Sequence, residues 1–124
     1  MKTLSKSKLL AFRQCPKRLW LEVNHPELRA DSAATTASFS VGNQVGEIAR
    51  KVYDPDRKGV LINPQDEGFE AAFAISQKLL KSSAPIFEAG FKAAGVLAFA
   101  DVMLPVKKDN RKVWRMVEVK SSTS

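Results

Sequence analysis

The stretch from Ala98 to Lys120 constrains the chain most. Two runs rich in apolar and β-branched residues, Ala98–Val106 and Lys112–Lys120, flank a polar cluster centred on Asp109-Asn110. That pattern signals a β-hairpin. A two-residue loop at Asp109-Asn110 pairs position i with position 219 − i, which places Asp101 opposite Glu118, Met103 opposite Met116 and Pro105 opposite Trp114. Directly opposed residues project to one face of a sheet, with Cβ atoms about 4.5–5.5 Å apart. Lys120, two residues beyond Glu118, shares that face by strand alternation. The other face carries Ala100, Val102, Leu104, Val117 and Val119, so the strand pair is predicted to be covered on both sides. The register therefore predicts an Asp, a Glu and a Lys side by side on a largely apolar surface.

Two carboxylates held together in such surroundings repel each other, and each is costly to bury unpaired. A hard divalent cation, Mg²⁺ or Mn²⁺, removes that cost because it prefers oxygen ligands. A neighbouring lysine can then hold an attacking water or offset charge developing on a phosphate. The same three residues could instead form a structural ion-pair network at a strand end, with no metal.

Composition narrows the class. The chain has 124 residues, 44% hydrophobic and 27% charged, which suits one globular domain with a modest core. No apolar run approaches the about eighteen residues of a membrane span, and no signal-peptide layout is present. These features, with a single cysteine, Cys15, predict a cytoplasmic protein without disulfides and without a membrane partner. A net charge of +7 suits a polyanionic partner without identifying one.

Ahead of the hairpin, Ser5 caps a predicted helix flanked by Leu4 and Leu9, which runs to Cys15-Pro16. Proline restarts the helix there, and Asn24-His25-Pro26 ends it. His25, before a proline in a loop, reads as a surface residue, and Cys15 as a half-buried helix residue. Arg29 to Ser38 is small and polar, a predicted linker. From Phe39 to Tyr53 the stripe Val41, Val45, Ile48 and Val52 predicts a helix, with Gly42, Gly46 and Ala49 as a strip of small residues beside it. Each glycine costs about 1 kcal/mol relative to alanine in a helix, so close approach to another backbone is expected. Lys58–Ile62 reads as an edge strand, Asn63-Pro64 opens a helix with a broad apolar face, and Ile86–Phe91 is a strand. The predicted fold is α+β, with N-terminal helices on a mixed sheet whose first three core strands are about 86–91, 96–106 and 112–120.

Several of these segments resemble, in conjunction, the PD-(D/E)XK nuclease superfamily, specifically its RecB-like branch. Leu4, Ser5, Ser7, Leu10, Phe12, Cys15-Pro16, Leu19 and Trp20 look like the N-terminal motif of RecB-like exonucleases. Gly42-x-x-Val45-Gly46-Glu47-x-Ala49-Arg50 is similar to the helix that follows in those enzymes. Asp101 followed by Glu118-Val119-Lys120 matches the catalytic signature, and Pro85–Phe91 resembles the first core strand of a family of bacterial domains of unknown function built on this nuclease core. The resemblance implies a metal-dependent nuclease acting on nucleic acid, DNA more than RNA, with Asp101 and Glu118 as ligands of Mg²⁺ or Mn²⁺ and Lys120 as the catalytic lysine. The histidine that many relatives carry four residues after the first helical glycine is replaced here by Gly46. Glu47 beside it could serve as a further metal ligand, although the helical wheel turns it away from the Val45/Ile48 stripe, as a solvated glutamate would be. Glu88 either lines the site or pairs with a lysine. Iron–sulfur members use four cysteines, and Cys15 alone cannot supply them.

The family core continues past Glu-Val-Lys with a helix and a strand. The chain is therefore expected to be an incomplete nuclease-like domain, with a helical segment at 1–35, a core at 38–124 and an open sheet edge that invites a second copy or a domain swap. The alternative function is a catalytically inactive module that keeps the fold and binds nucleic acid or another partner.

Overall fold

In the computed structural model, which describes residues 3–30 and 33–121 (backbone alone for 33–39, Gln65 and Glu67), helices precede and flank a four-stranded mixed sheet. Helix α1 (Lys6–Gln14) starts at Ser5, whose Oγ accepts the Lys8 N–H at 3.4 Å. Cys15 then turns extended, at φ −164°, and Pro16 opens α2 (Pro16–Asn24). Cys15 is thus an exposed joint between two helices rather than a half-buried helical residue; the proline directly after it disfavours helical backbone there and pushes it extended. His25 is exposed, as expected, with Nδ1 2.9 Å from Glu27 Oε1.

The long helix α3 (Ala33–Tyr53) corrects the expected linker. Positions 33–38 are helical, because Ala33-Ala34-Thr35-Thr36-Ala37-Ser38 contains no glycine or proline to stop a helix propagating from its stronger C-terminal half. Asp31 and Ser32 of that segment lie outside the described residues. Asp54 ends the helix, accepting the N–H groups of Lys58 and Gly59 at 2.9 and 2.8 Å. The chain is thereby turned into β1 (Val60–Leu61), an edge strand as expected.

The predicted helix after Asn63 is split by Gly68, at φ +85°, into α4 (Pro64–Glu67) and α5 (Phe69–Leu79). Strands β2 (Ile86–Ala93), β3 (Val96–Lys108) and β4 (Arg111–Val117) follow. The sheet order is β1-β2-β3-β4, with β1 parallel to β2 and the others antiparallel. Helix α5 packs on β2, and Ile62, Ala72, Ile86, Ala89, Ala100 and Met103 form the buried cluster. Ser76 stitches helix to strand: its hydroxyl donates to Ala72 O at 2.7 Å and accepts the Gly90 N–H at 2.8 Å. Among the described residues, no helix is long and apolar enough to cross a membrane.

The hairpin register is the one read from the sequence. Met103 pairs with Met116, Pro105 with Trp114 and Val102 with Val117, around a turn whose Asp109 and Asn110 have φ of 52° and 60°. Positive φ at both central residues is the type I′ geometry that suits tight hairpins. Strand β4 ends at Val117, three residues short of the expectation, and that shift decides how the acidic residues are arranged.

Candidate functional site

Asp101 sits on β3 where two recesses meet. One is a cavity of about 300 Å³ under α3, lined by Gly42, Gly46, Arg50, Glu88, Asp101 and Lys120, with Phe87 and Val102 as apolar walls. The other is a groove between α1 and the end of β4, lined by Lys6, Leu10, Asp101, Met116 and Glu118 among others. Because residues 118–120 leave the strand, they do not continue its alternation. Asp101 Oδ2 accepts the Val119 N–H at 2.8 Å, so the carboxylate captures the backbone just as the chain turns away. Glu118 falls into the groove and Lys120 into the cavity. Asp101, Glu118 and Lys120 are neighbours, but on two sides of Asp101 instead of one common face.

Glu118 is exposed, and its carboxylate is paired with Lys6 Nζ, which ties α1 to the end of β4. The hydrogen bond and charge of Lys6 hold the Glu118 carboxyl below the usual range, with the Lys120 charge adding to the effect. The same pairing raises the Lys6 ammonium.

Glu88 is brought to the site by a backbone device absent from the sequence reading. The β2–β3 ladder joins Phe87 to Val102 and Ala89 to Ala100 but skips the pair between them, Glu88 opposite Asp101. Glu88 has φ of +61°, a left-handed conformation costing a non-glycine residue roughly 1–2 kcal/mol. The side-chain alternation steps at this point. Ile86/Met103 and Ala89/Ala100, three positions apart, all join the one buried cluster, whereas strict alternation would separate them. Consecutive residues Phe87-Glu88 and Asp101-Val102 are left lining the cavity. Burial raises the Glu88 carboxyl above its ordinary value, the Asp101 charge adds to that, and Arg50 partly offsets it.

Glu47 is not brought into this group. It is exposed, pairs with Lys51 at 3.5 Å and faces a separate surface recess, the solvated position indicated by the helical wheel. Its neighbour Arg50 enters the cavity instead. Arg50 follows Gly46 by four residues and Gly42 by eight, which places all three on one helical face; that spacing is the signal by which it could have been found.

The two glycines do not permit the close backbone approach expected of them. A Cβ on Gly42 would meet nothing within 4 Å, and one on Gly46 only the Arg50 guanidinium at 3.7 Å. Their effect is to keep the α3 wall of the cavity open.

Among the described residues, no group of three or more His, Cys, Asp or Glu side chains is gathered as a metal cage. Compared with family models, curated proteins and solved structures, the chain matches none.

Proposed function

We propose that this chain carries a divalent-metal-dependent nuclease centre on a restriction-endonuclease-like core, akin to RecB-like PD-(D/E)XK enzymes. The observation that supports it best is the convergence on Asp101 of two further carboxylates, Glu88 and Glu118, and two cations, Lys120 and Arg50, around open recesses. The donor chemistry fits Mg²⁺ or Mn²⁺. Magnesium is commonly held by one or two carboxylates together with water and substrate phosphate, and the Glu88 carboxyl, raised by burial first and by the Asp101 charge second, carries a cost of the kind a cation relieves. Asp101 would hold the ion together with one further carboxylate, Glu118 from the groove or Glu88 from the cavity, because the three are not gathered into one cage. When bound, the metal would offset phosphate charge and ease ionisation of the attacking water.

The chain's own residues supply the rest. Asp101, fixed by the Val119 N–H, holds its free carboxylate oxygen in place. Lys120 brings an ammonium into the cavity, where it offsets charge that grows on the phosphate oxygens during hydrolysis. Arg50 offers a planar donor set for a second phosphate contact. Lys120→Met is expected to leave Mn²⁺ affinity largely intact and to slow DNA cleavage by about 10²-fold or more. Asp101→Asn is expected to lose both metal binding and cleavage. Calorimetry with Mn²⁺ alongside cleavage of labelled single- and double-stranded DNA checks this, and full activity in Lys120→Met would end the proposal.

One observation favours a second reading, a non-catalytic module. Glu118 is satisfied by Lys6 and Asp101 by a backbone N–H, an arrangement that is stable without metal. Under that reading Lys120→Met and Asp101→Asn change melting temperature and leave nucleic-acid binding intact, and wild type shows no cleavage in Mn²⁺.

A further inference from the structure

The β3–β4 hairpin has two unlike faces. On the face towards α5, Lys112 Nζ donates to the carbonyls of Leu80 and Ser82 at 3.1 and 2.6 Å, and Trp114 packs against the buried cluster. That face anchors the ribbon. The opposite face carries the paired rows Lys108/Arg111, Val106/Val113, Leu104/Arg115 and Val102/Val117. Lys108, Arg111 and Arg115 on it are exposed, and no acidic partner engages them among the described residues. Lys108 stands directly across from Arg111, and Lys107 across from Lys112. Like charges in directly opposed positions destabilise a strand pair, so the hairpin alone does not benefit from this arrangement.

The row leads somewhere. Val102, at its inner end, lines the cavity that holds Asp101, Lys120 and Arg50. From Lys108 to Val102 is six residues, roughly 20 Å of strand at about 3.3 Å per residue. We propose that this face of the hairpin is a docking track for the phosphate backbone of double-stranded nucleic acid, delivering it to the cavity. The direction of delivery rests on the nuclease reading above. Cations match the polyanion. The residues between them, Val106, Val113 and Leu104, are aliphatic, and no aromatic side chain on this face offers the stacking platform by which single strands are held. A duplex keeps its base faces stacked inside and offers such a surface its charged phosphate backbone.

The test is fluorescence anisotropy with a labelled 20-base-pair DNA duplex in EDTA across a range of salt concentrations. Replacing Lys108, Arg111 and Arg115 together by Gln should reduce the log–log salt slope of binding by about 1 per cation, roughly 3 in all. The charge-preserving set Lys108→Arg, Arg111→Lys and Arg115→Lys should keep the wild-type slope. Should the triple Gln variant fail to melt cooperatively, Lys108→Gln alone, at the exposed tip, should still reduce the slope by about 1. An unchanged slope in the folded Gln variant overturns the proposal. So does tighter binding of a single strand of equal length, or binding to anionic vesicles in place of duplex. Binding in EDTA is independent of cleavage in Mn²⁺, so this inference and the nuclease reading can each fail alone.

Discussion

Glu88 shows how much a single residue can carry here. Its left-handed backbone and its burial beside Asp101 both oppose stability, and such combinations concentrate at functional sites. The raised carboxyl has a definite pH signature. In the unfolded chain the group titrates near its ordinary value, while in the fold it keeps its proton to higher pH. Between those two values the folded state binds the extra proton, so stability is gained as pH falls through the raised value and lost as pH rises through it. Glu88→Gln should therefore melt higher than wild type at pH 7–8 in EDTA, with the gap closing as pH falls towards the ordinary carboxyl range. Melting curves across that range check it, and a gap independent of pH would refute it. Lys6 supports a second prediction at this scale. It competes with any cation for Glu118, so Lys6→Ala should tighten Mn²⁺ binding several-fold by calorimetry. Unchanged affinity would remove Glu118 from the ligand set.

At the scale of elements, α5 and β2 depend on Ser76. Its hydroxyl is fully buried and supplies the acceptor for the Gly90 N–H. Ser76→Ala orphans that donor, at a cost of about 1–3 kcal/mol, measurable as a lower midpoint in urea with an unchanged slope. The Asp109-Asn110 turn predicts the opposite sign. Asn110→Gly removes a side chain from φ +60° and should stabilise the hairpin, because Asp-Gly is a preferred type I′ pair. These elements also show what was legible in the chain. The hairpin register followed from local turn chemistry and strand alternation, both short-range properties, and Ser5, Cys15-Pro16 and Asn63-Pro64 marked helix ends for the same reason. The site itself was only half legible. Asp101, Glu118 and Lys120 do come out as neighbours, but the common face expected of them assumed that β4 would continue through Lys120. The strand stops when Asp101 takes the Val119 N–H, a contact between residues eighteen apart. The step at Glu88 likewise depends on tertiary packing that no local pattern encodes.

For the whole molecule, the distribution of apolar surface is the remaining constraint. Leu9, Leu10 and Phe12 on α1, Val41, Ile48 and Val52 on α3, and Met116 on β4 are all exposed, Met116 by 69%. Strand β4 is also the longer of the two sheet edges, with seven residues against two in β1. Unpaired edges template pairing with another chain, and charged residues on them oppose it. Here both influences meet. Antiparallel pairing of two β4 strands about Trp114 matches position i with 228 − i, which sets Arg111 against Val117, Lys112 against Met116 and Arg115 against Val113. No cation then faces a cation directly, although the six in the two strands still repel at longer range. Self-association through this edge should accordingly rise with protein concentration and with salt, since salt screens that repulsion. Met116→Lys would set a lysine against the second copy's Lys112, and like charges directly opposed are unfavourable. Because Met116 is so exposed, that change should leave the monomer's melting temperature nearly unaltered while abolishing the dimer. Light scattering on both proteins at low and high salt decides the matter. A wild type that stays monomeric at every concentration and salt level would rule out pairing through β4, and a Met116→Lys dimer as strong as wild type would move the interface to another face.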